Sequence, residues 1–219
     1  MSEPLSRLKP PDVSSVKASS EEDAAYTYPT AAPGEKREWV IVDYDPSKMP
    51  GGEVFLPGLW KRMHDDGTFG MFFHEGPDMS FVQFGALLTR TDARIQLVIG
   101  HDAEGNAKEH AGLLILDHIL HNDVVKRAVG NFLFFKEYWH RHDSMALGHA
   151  VLDHWFGVMQ FDVIAGITPR ANRAAISFIK RLGFQIIGDV PNFTMFDEKP
   201  CASATSFMTR AMWAAKAGK

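Results

Sequence analysis

Apolar residues follow two different periods along this chain, and the change of period marks its elements. Glu38–Asp45 has a Val-Ile-Val centre, and Ile95, Leu97 and Ile99 alternate with their neighbours, as in strands. Other stretches place apolar residues three and four positions apart, which indicates one face of a helix. The pattern predicts strands at 38–45, 95–99, 111–119, 127–139, 161–167, 184–198 and 204–213. It predicts helices at 57–66, 79–89, 145–158 and 172–182.

The order of these elements indicates the class of fold. A strand is followed by two helices, three strands, a helix, a strand, a helix and two strands. Helices that cross between strands late in the chain are typical of a sheet with helices packed against it. Turn residues at Asp102–Asn106 join two strands into a hairpin, and Gly130 inside a strand marks a bulge or a close approach. We therefore predict an α+β domain.

The stretch Ile167–Phe184 carries local signals for a capped helix. Asn172 precedes the first helical residue, and its side-chain oxygen can accept a hydrogen bond from an N–H of the first turn. Gly183 can adopt the left-handed conformation that ends a helix. Lys180 and Arg181 lie near the C-terminal end, where the helix dipole favours cations. One apolar face is formed by Ala175, Ile176, Ile179 and Leu182.

Composition limits the classes of function. Of 219 residues, 45% are hydrophobic and 23% are charged, which is typical of a globular protein. The net charge of −4 and the lack of a Lys/Arg stripe argue against binding to nucleic acid. No apolar run approaches the roughly 20 residues of a membrane-spanning helix, so no membrane partner is predicted. Cys201 is the single cysteine, which excludes an intrachain disulfide and indicates a reducing, cytoplasmic location.

The first 37 residues differ in composition from the rest of the chain. They are rich in Ser, Pro, Ala, Glu and Lys without any period. Such a segment has too few apolar residues to offset the entropy of its own ordering. We predict a flexible or partner-bound arm at 1–37 and one domain at 38–219.

The helix that starts after Asn172, together with the order of elements, resembles the GNAT family of N-acetyltransferases. The helix matches the family at Asn172, Ala174, Ala175, Ile176, Leu182, Gly183 and Phe184. The end of the chain matches it at Gly188, Asp197, Thr209, Arg210 and Trp213. The resemblance implies a mixed, mostly antiparallel sheet of about seven strands flanked by about four helices. It also implies transfer of an acetyl group from acetyl-CoA to an amine of a small molecule or of a protein.

The resemblance extends to the segment that holds the cofactor. In the family, a turn written R/Q-x-x-G-x-G/A cradles the pyrophosphate of acetyl-CoA on backbone N–H groups at a helix start. The matching segment is Arg141-His-Asp-Ser144-Met-Ala146, in which serine replaces the first glycine. The resemblance therefore implies cofactor contacts from Arg141, Ser144, Met145, Ala146 and Asn172.

Candidate catalytic residues follow the long aromatic strand. Direct transfer to an amine needs a base for the ammonium, an N–H donor for the oxyanion and an acid for the leaving thiolate. Many family members carry a tyrosine as that acid, and Phe178 lies in the matching neighbourhood here. Glu137, Tyr138, His140 and His142 offer groups that exchange protons, and histidine is a suitable base at neutral pH. We predict these four as the catalytic residues.

Metal chemistry and a dedicated aromatic pocket are weaker interpretations of the sequence. His140-x-His142 has no Cys or carboxylate partners at a recognised spacing, so no metal is predicted. The aromatic clusters Gly70–Phe73 and Phe132–Phe135 could line a pocket. Aromatic residues in strands more often belong to a core, and this interpretation is favoured for both clusters.

A second hypothesis is a GNAT-like protein without catalytic activity, used as a structural or assembly module. The serine at position 144, the phenylalanine at position 178 and the arm at 1–37 motivate it. GNAT-like proteins of this kind occur among phage-encoded products, including virion-associated ones. This hypothesis places the arm against a virion partner or a second copy of the chain.

Overall fold

The computed structural model describes residues 38–45, 52–73, 79–101, 107–122, 124–139, 142–197 and 199–218. The predicted arm at 1–37 and the predicted turn at 102–106 lie outside these ranges.

Seven strands form one sheet. They are β1 Glu38–Asp43, β2 Arg94–His101, β3 Ala107–His121, β4 Lys126–Phe134, β5 Val163–Pro169, β6 Gln185–Phe196 and β7 Lys199–Thr209. Their order in the sheet is β1-β2-β3-β4-β5-β7-β6. Every neighbouring pair is antiparallel except β4 and β5, which are parallel. The predicted α+β class, with a mixed and mostly antiparallel sheet, is confirmed.

The described residues contain six α-helices. They are α1 Gly52–Asp65, α2 Thr68–Phe72, α3 Phe81–Leu88, α4 His142–Leu152, α5 Arg173–Leu182 and α6 Arg210–Ala217. The sequence predicted about four, and it missed α2 and α6. The strand predicted at 204–213 is wrong beyond Thr209, because the Thr209 side chain accepts a hydrogen bond from the Met212 N–H at 3.2 Å and caps α6. None of the described helices combines the length and the apolar character needed to cross a membrane.

The helix predicted over 145–158 is less regular than expected. It begins at His142, and after α4 the backbone continues as a π-helix over Asp153–Val158. The Met159 N–H donates to the carbonyl of His154, five residues earlier, at 2.8 Å. The π-helix carries the fully buried Trp155 next to Gly130 of β4. The predicted close approach at Gly130 is therefore confirmed.

The core lies on both faces of the sheet. Four consecutive β3 residues, 113–116, are all buried, which requires cover on each face. On one face, the guanidinium of Arg62 in α1 lies 3.7 Å from the ring centroid of Phe135. On the other face, Phe178 of α5 packs against Phe132 of β4, with ring centroids 5.7 Å apart.

The capped helix predicted from the sequence is α5. The Asn172 side chain accepts a hydrogen bond from the Ala175 N–H at 3.1 Å. Gly183 ends the helix with φ of 105°. The cap and the stop each depend on contacts within a single helical turn, so both can be predicted without knowledge of the surrounding fold.

Candidate functional site

The two parallel strands in the sheet, β4 and β5, pair over only three positions. In β4 these positions run from Arg127 to Val129. Beyond them, β4 remains paired with β3 as far as Phe134, and β5 remains paired with β7 as far as Pro169. The strands therefore diverge, and each turns one backbone edge toward a wedge between them. The N–H and C=O groups on these edges need partners, which a ligand can supply.

A cavity of about 840 Å³ occupies the wedge. Residues Gly130–Phe134 of β4 and Gly166–Pro169 of β5 form its two strand walls. The volume falls in the range of cavities that bind small molecules and cofactors.

The cavity reaches both faces of the sheet. Phe132 points to the face of α5, where it contacts Phe178. Side chains alternate along a strand, so Asn131 and Leu133 lie on the opposite face, which α1–α3 cover. Phe72 of α2 lines the cavity on that face. Two ligands could therefore approach the wedge from opposite sides of the sheet.

On the α5 face, the starts of two helices meet the cavity. Ser144 in the first turn of α4 lines it, as do Asn172 and Ala175 at the start of α5. First-turn N–H groups lack acceptors within their helix, and the helix dipole makes this end positive, so the site favours anions. Gly148 allows α4 to approach α5, because a Cβ there would lie 2.7 Å from a methyl group of Leu182. This end of the cavity fits phosphate groups.

Two of the five predicted cofactor residues, Ser144 and Asn172, line the cavity. Met145 is half-buried and packs against the core, and Ala146 is exposed. Arg141 lies outside the described residues. Contacts between these five residues and a cofactor stay a prediction.

Two of the predicted catalytic residues lie in a single 3₁₀ turn after β4, and neither belongs to the cavity wall. Glu137 forms an ion pair with Arg62, and its side chain is 37% exposed. Tyr138 is buried, with its ring edge-on to Trp39 at a centroid distance of 5.9 Å. Their catalytic roles stay predictions.

The two predicted catalytic histidines follow the same turn. His140 lies outside the described residues, and of His142 only the backbone, at the start of α4, is described. Their roles are also predictions. Within the described ranges, no three His, Cys, Asp or Glu side chains come together in a way that could hold a metal ion.

The ion pair between Arg62 and Glu137, next to the end of β4, is fixed by further contacts of Arg62. Arg62 is largely buried, donates to the carbonyl of His110 at 2.8 Å and lies over the ring of Phe135. The ring of His110 is buried, and its Nε2 is 2.8 Å from the carbonyl of Gly112, to which it donates in the neutral form. Burial, followed by the charge of Arg62, lowers the pKa of His110 to about 3. His110 is therefore neutral near pH 7, and Glu137 balances the charge of Arg62.

Several residues of the cavity wall were not predicted as site residues. Phe132 and Phe72 come from the two aromatic clusters for which a core role was favoured, yet both line the cavity. Thr168 of β5 and Ser206 of β7 also line it, and nothing in their local sequence marks them. Asn131 gave a usable signal, because an amide inside an otherwise aromatic strand needs a polar partner.

Comparison with known proteins identifies the fold. No family model and no curated protein matches the chain. Among solved structures, spermidine N-acetyltransferase from Vibrio cholerae in complex with CoA and spermine is similar, with a TM-score of 0.60 and 16% identity over 80% of this chain and 97% of that one. A point mutant of the Vibrio cholerae enzyme gives a TM-score of 0.60 and 16% identity over 81% and 99%. At this level of identity the likeness shows the fold alone, and the fold of this chain is that of the GNAT N-acetyltransferases.

Proposed function

We propose that the protein is an acyl-CoA-dependent N-acetyltransferase that transfers the acetyl group of acetyl-CoA directly to an amine. The observation that carries the proposal is the wedge between β4 and β5. It combines two strand edges that no longer pair with each other with two helix starts, and it opens toward both faces of the sheet. The similar solved enzyme is described in complex with CoA and spermine, which supports the same pair of ligand classes here.

The residues of the wedge fit acetyl-CoA in three respects. Backbone groups along β4 and β5 can bind the amides of an extended chain in the manner of an added strand. The starts of α4 and α5 suit the pyrophosphate. Small residues leave room for the cofactor, since Gly166, Ala174 and Ala175 all line the cavity. When bound, acetyl-CoA supplies the activated acetyl thioester.

The chain's own residues would orient the acceptor and move its protons. The amine nitrogen forms a bond to the acetyl carbon while the carbon–sulfur bond breaks, and the ammonium loses its proton to a base. We propose that a backbone N–H on the edge of β4 that faces the wedge stabilises the oxyanion. Glu137, His140 and His142 remain the predicted bases. Because Phe178 cannot give a proton to the thiolate, the donor we propose is a hydroxyl group of the strand wall such as that of Thr168.

The acceptor is an amine of a small molecule or of a protein, and the single cysteine favours a cytoplasmic setting. The alternative of a non-catalytic assembly module is not favoured, since the similar structures named above are those of an enzyme. A virion partner or a second copy bound through residues 1–37 has no support from the described residues.

The first test is a thermal-shift titration of the full chain with CoA and acetyl-CoA, followed by an assay of CoA release with a panel of amines. Ligand at about 100 times its dissociation constant should add roughly 2.7 kcal/mol of stability. A saturable rise in the melting temperature supports the proposal. No shift at millimolar CoA would refute it.

A variant can show whether the response comes from the wedge. Ala175→Glu places a carboxylate on the phosphate side of the cavity, where it should abolish the thermal shift with CoA. The helix dipole favours a negative charge in the first turn, so α5 should stay folded. Gln185→Glu adds the same charge at an exposed position outside the wall and should retain the shift. An unchanged shift in Ala175→Glu would place CoA elsewhere.

A further inference from the structure

A buried amide lies where β1 and β2 meet the π-helix. The Gln96 side chain of β2 is fully buried. Its Oε1 accepts the indole N–H of Trp155 at 3.0 Å, and its Nε2 donates to a carboxylate oxygen of Asp43 at 3.0 Å. An indole N–H can only donate and an ionised carboxylate can only accept, so these two partners fix the direction in which the amide points.

The same amide nitrogen also faces a histidine of the π-helix. Nε2 of Gln96 lies 3.2 Å from Nε2 of His154. Because the amide nitrogen can only donate, the His154 nitrogen must accept and cannot carry a proton. His154 is therefore neutral in this arrangement, with its proton on Nδ1.

Charged groups of both strands act on His154, and they oppose each other. Burial lowers the pKa of His154, the charge of Asp43 raises it, and the charge of Arg94 lowers it. A hydrogen bond from Arg94 lowers the pKa of Asp43, so this carboxylate stays ionised near pH 7. Protonation of His154 would set an N–H against the N–H of Gln96. Rotation of the amide would relieve that clash but would set its N–H groups against the indole N–H of Trp155. Either orientation then leaves a donor or an acceptor of the cluster unpaired.

Trp155 connects this cluster to the cavity. Two of its ring carbons lie 2.8 and 2.9 Å from the position that a Cβ would occupy on Gly130, which belongs to the cavity wall. Its ring centroid is also 6.0 Å from that of Phe132, another residue of the wall. The hydrogen bond to Gln96 fixes the position of the indole, so a change at Gln96 reaches the wall through direct contacts.

We propose that Gln96 is a positioning residue that holds Trp155 against the β4 wall of the cavity only while His154 is unprotonated. Acidification releases the indole and loosens the wall at Gly130 and Phe132. The hydrogen-bond cluster is independent of the proposed function, whereas its effect on a bound cofactor rests on that function.

An NMR titration of the full chain from about pH 7.5 to about pH 4.5 tests the cluster itself. Trp155→Phe identifies the indole N–H signal of Trp155, and the ring signals of His154 report its protonation. We expect the indole signal to shift with the same midpoint as the His154 ring. The shift should be absent in His154→Gln, whose amide oxygen can replace Nε2 as the acceptor. His149→Gln makes the same chemical change at an exposed position of α4 and should keep the shift. An indole signal that does not move, or that moves equally in His154→Gln, would overturn the proposal.

Binding of CoA at about pH 7.5 and about pH 5 tests the effect on the cavity. Its dissociation constant should rise on acidification by a factor that is at least about 5-fold larger in the wild type than in His154→Gln. The comparison of the two proteins cancels the titration of the CoA phosphates. An equal rise in both proteins would overturn the link between Gln96 and the wall. Failure of CoA to bind at either pH would instead overturn the proposed function, and the indole signal would still decide the role of Gln96.

Discussion

Gly130 is a position where a single added methyl group is expected to have a large effect. A Cβ there would lie 2.8 and 2.9 Å from two ring carbons of Trp155 and 2.9 Å from a methyl carbon of Ile164. Both neighbours are fully buried, so neither can move into solvent. Overpacking of this kind costs about 1–3 kcal/mol, and the lower entropy of the unfolded alanine chain returns about 0.4–1 kcal/mol. We expect Gly130→Ala to lower the free energy of unfolding by about 1–2 kcal/mol.

Urea unfolding of the full chain measures this change, with the midpoint and the m-value fitted together. Gly85→Ala is the matched control, because no atom lies within 4 Å of its added Cβ and it belongs to α3. That variant should gain about 0.5–1 kcal/mol, since alanine is the better helix former. A Gly130→Ala protein as stable as the wild type would refute the tight contact between the π-helix and β4.

A double-mutant cycle identifies the clash more directly. Trp155→Phe removes part of the ring system against which the new methyl group would press. Gly130→Ala should then be less destabilising in the Trp155→Phe background, by about 0.5 kcal/mol or more. Strict additivity of the two substitutions would show that the cost arises elsewhere in β4.

Two further predictions concern a buried histidine and a helix cap. The pKa of His110 is about 3 in the folded chain and 6.5 when unperturbed, so its contribution to stability is complete above about pH 6.5 and is lost as the pH falls toward 3. Acidification from neutral pH to 5 should lower the free energy of unfolding by about 2 kcal/mol through His110. Urea unfolding at both pH values measures this loss. An equal loss in His110→Gln would contradict the assignment. Asn172→Ala should cost about 1 kcal/mol and Asn172→Asp less than about 0.5 kcal/mol, because aspartate also caps helices. Equal losses in those two variants, compared by thermal unfolding, would show that the cap does not stabilise α5.

Local signals explain most of what could be predicted from the sequence. The cap at Asn172 and the stop at Gly183 depend on a few adjacent residues, and alternation of apolar residues located the strands. The same reasoning missed α6, because Thr209 is suited both to a strand end and to a helix cap. The sequence reasoning also assigned Phe132 to the core. Periodicity shows that a side chain is directed away from solvent, but it does not show whether that side chain faces a cavity.

By itself, the sequence determined the class of fold, the strands of the sheet and the helix that starts after Asn172, since these depend on periodicity and on contacts within one turn. Only the tertiary structure decided where β4 leaves β5, because that separation depends on partners far along the chain. The same holds for the ion pair of Arg62 with Glu137, which joins residues 75 positions apart. The cavity exists because these distant elements meet, and no local pattern encodes its wall.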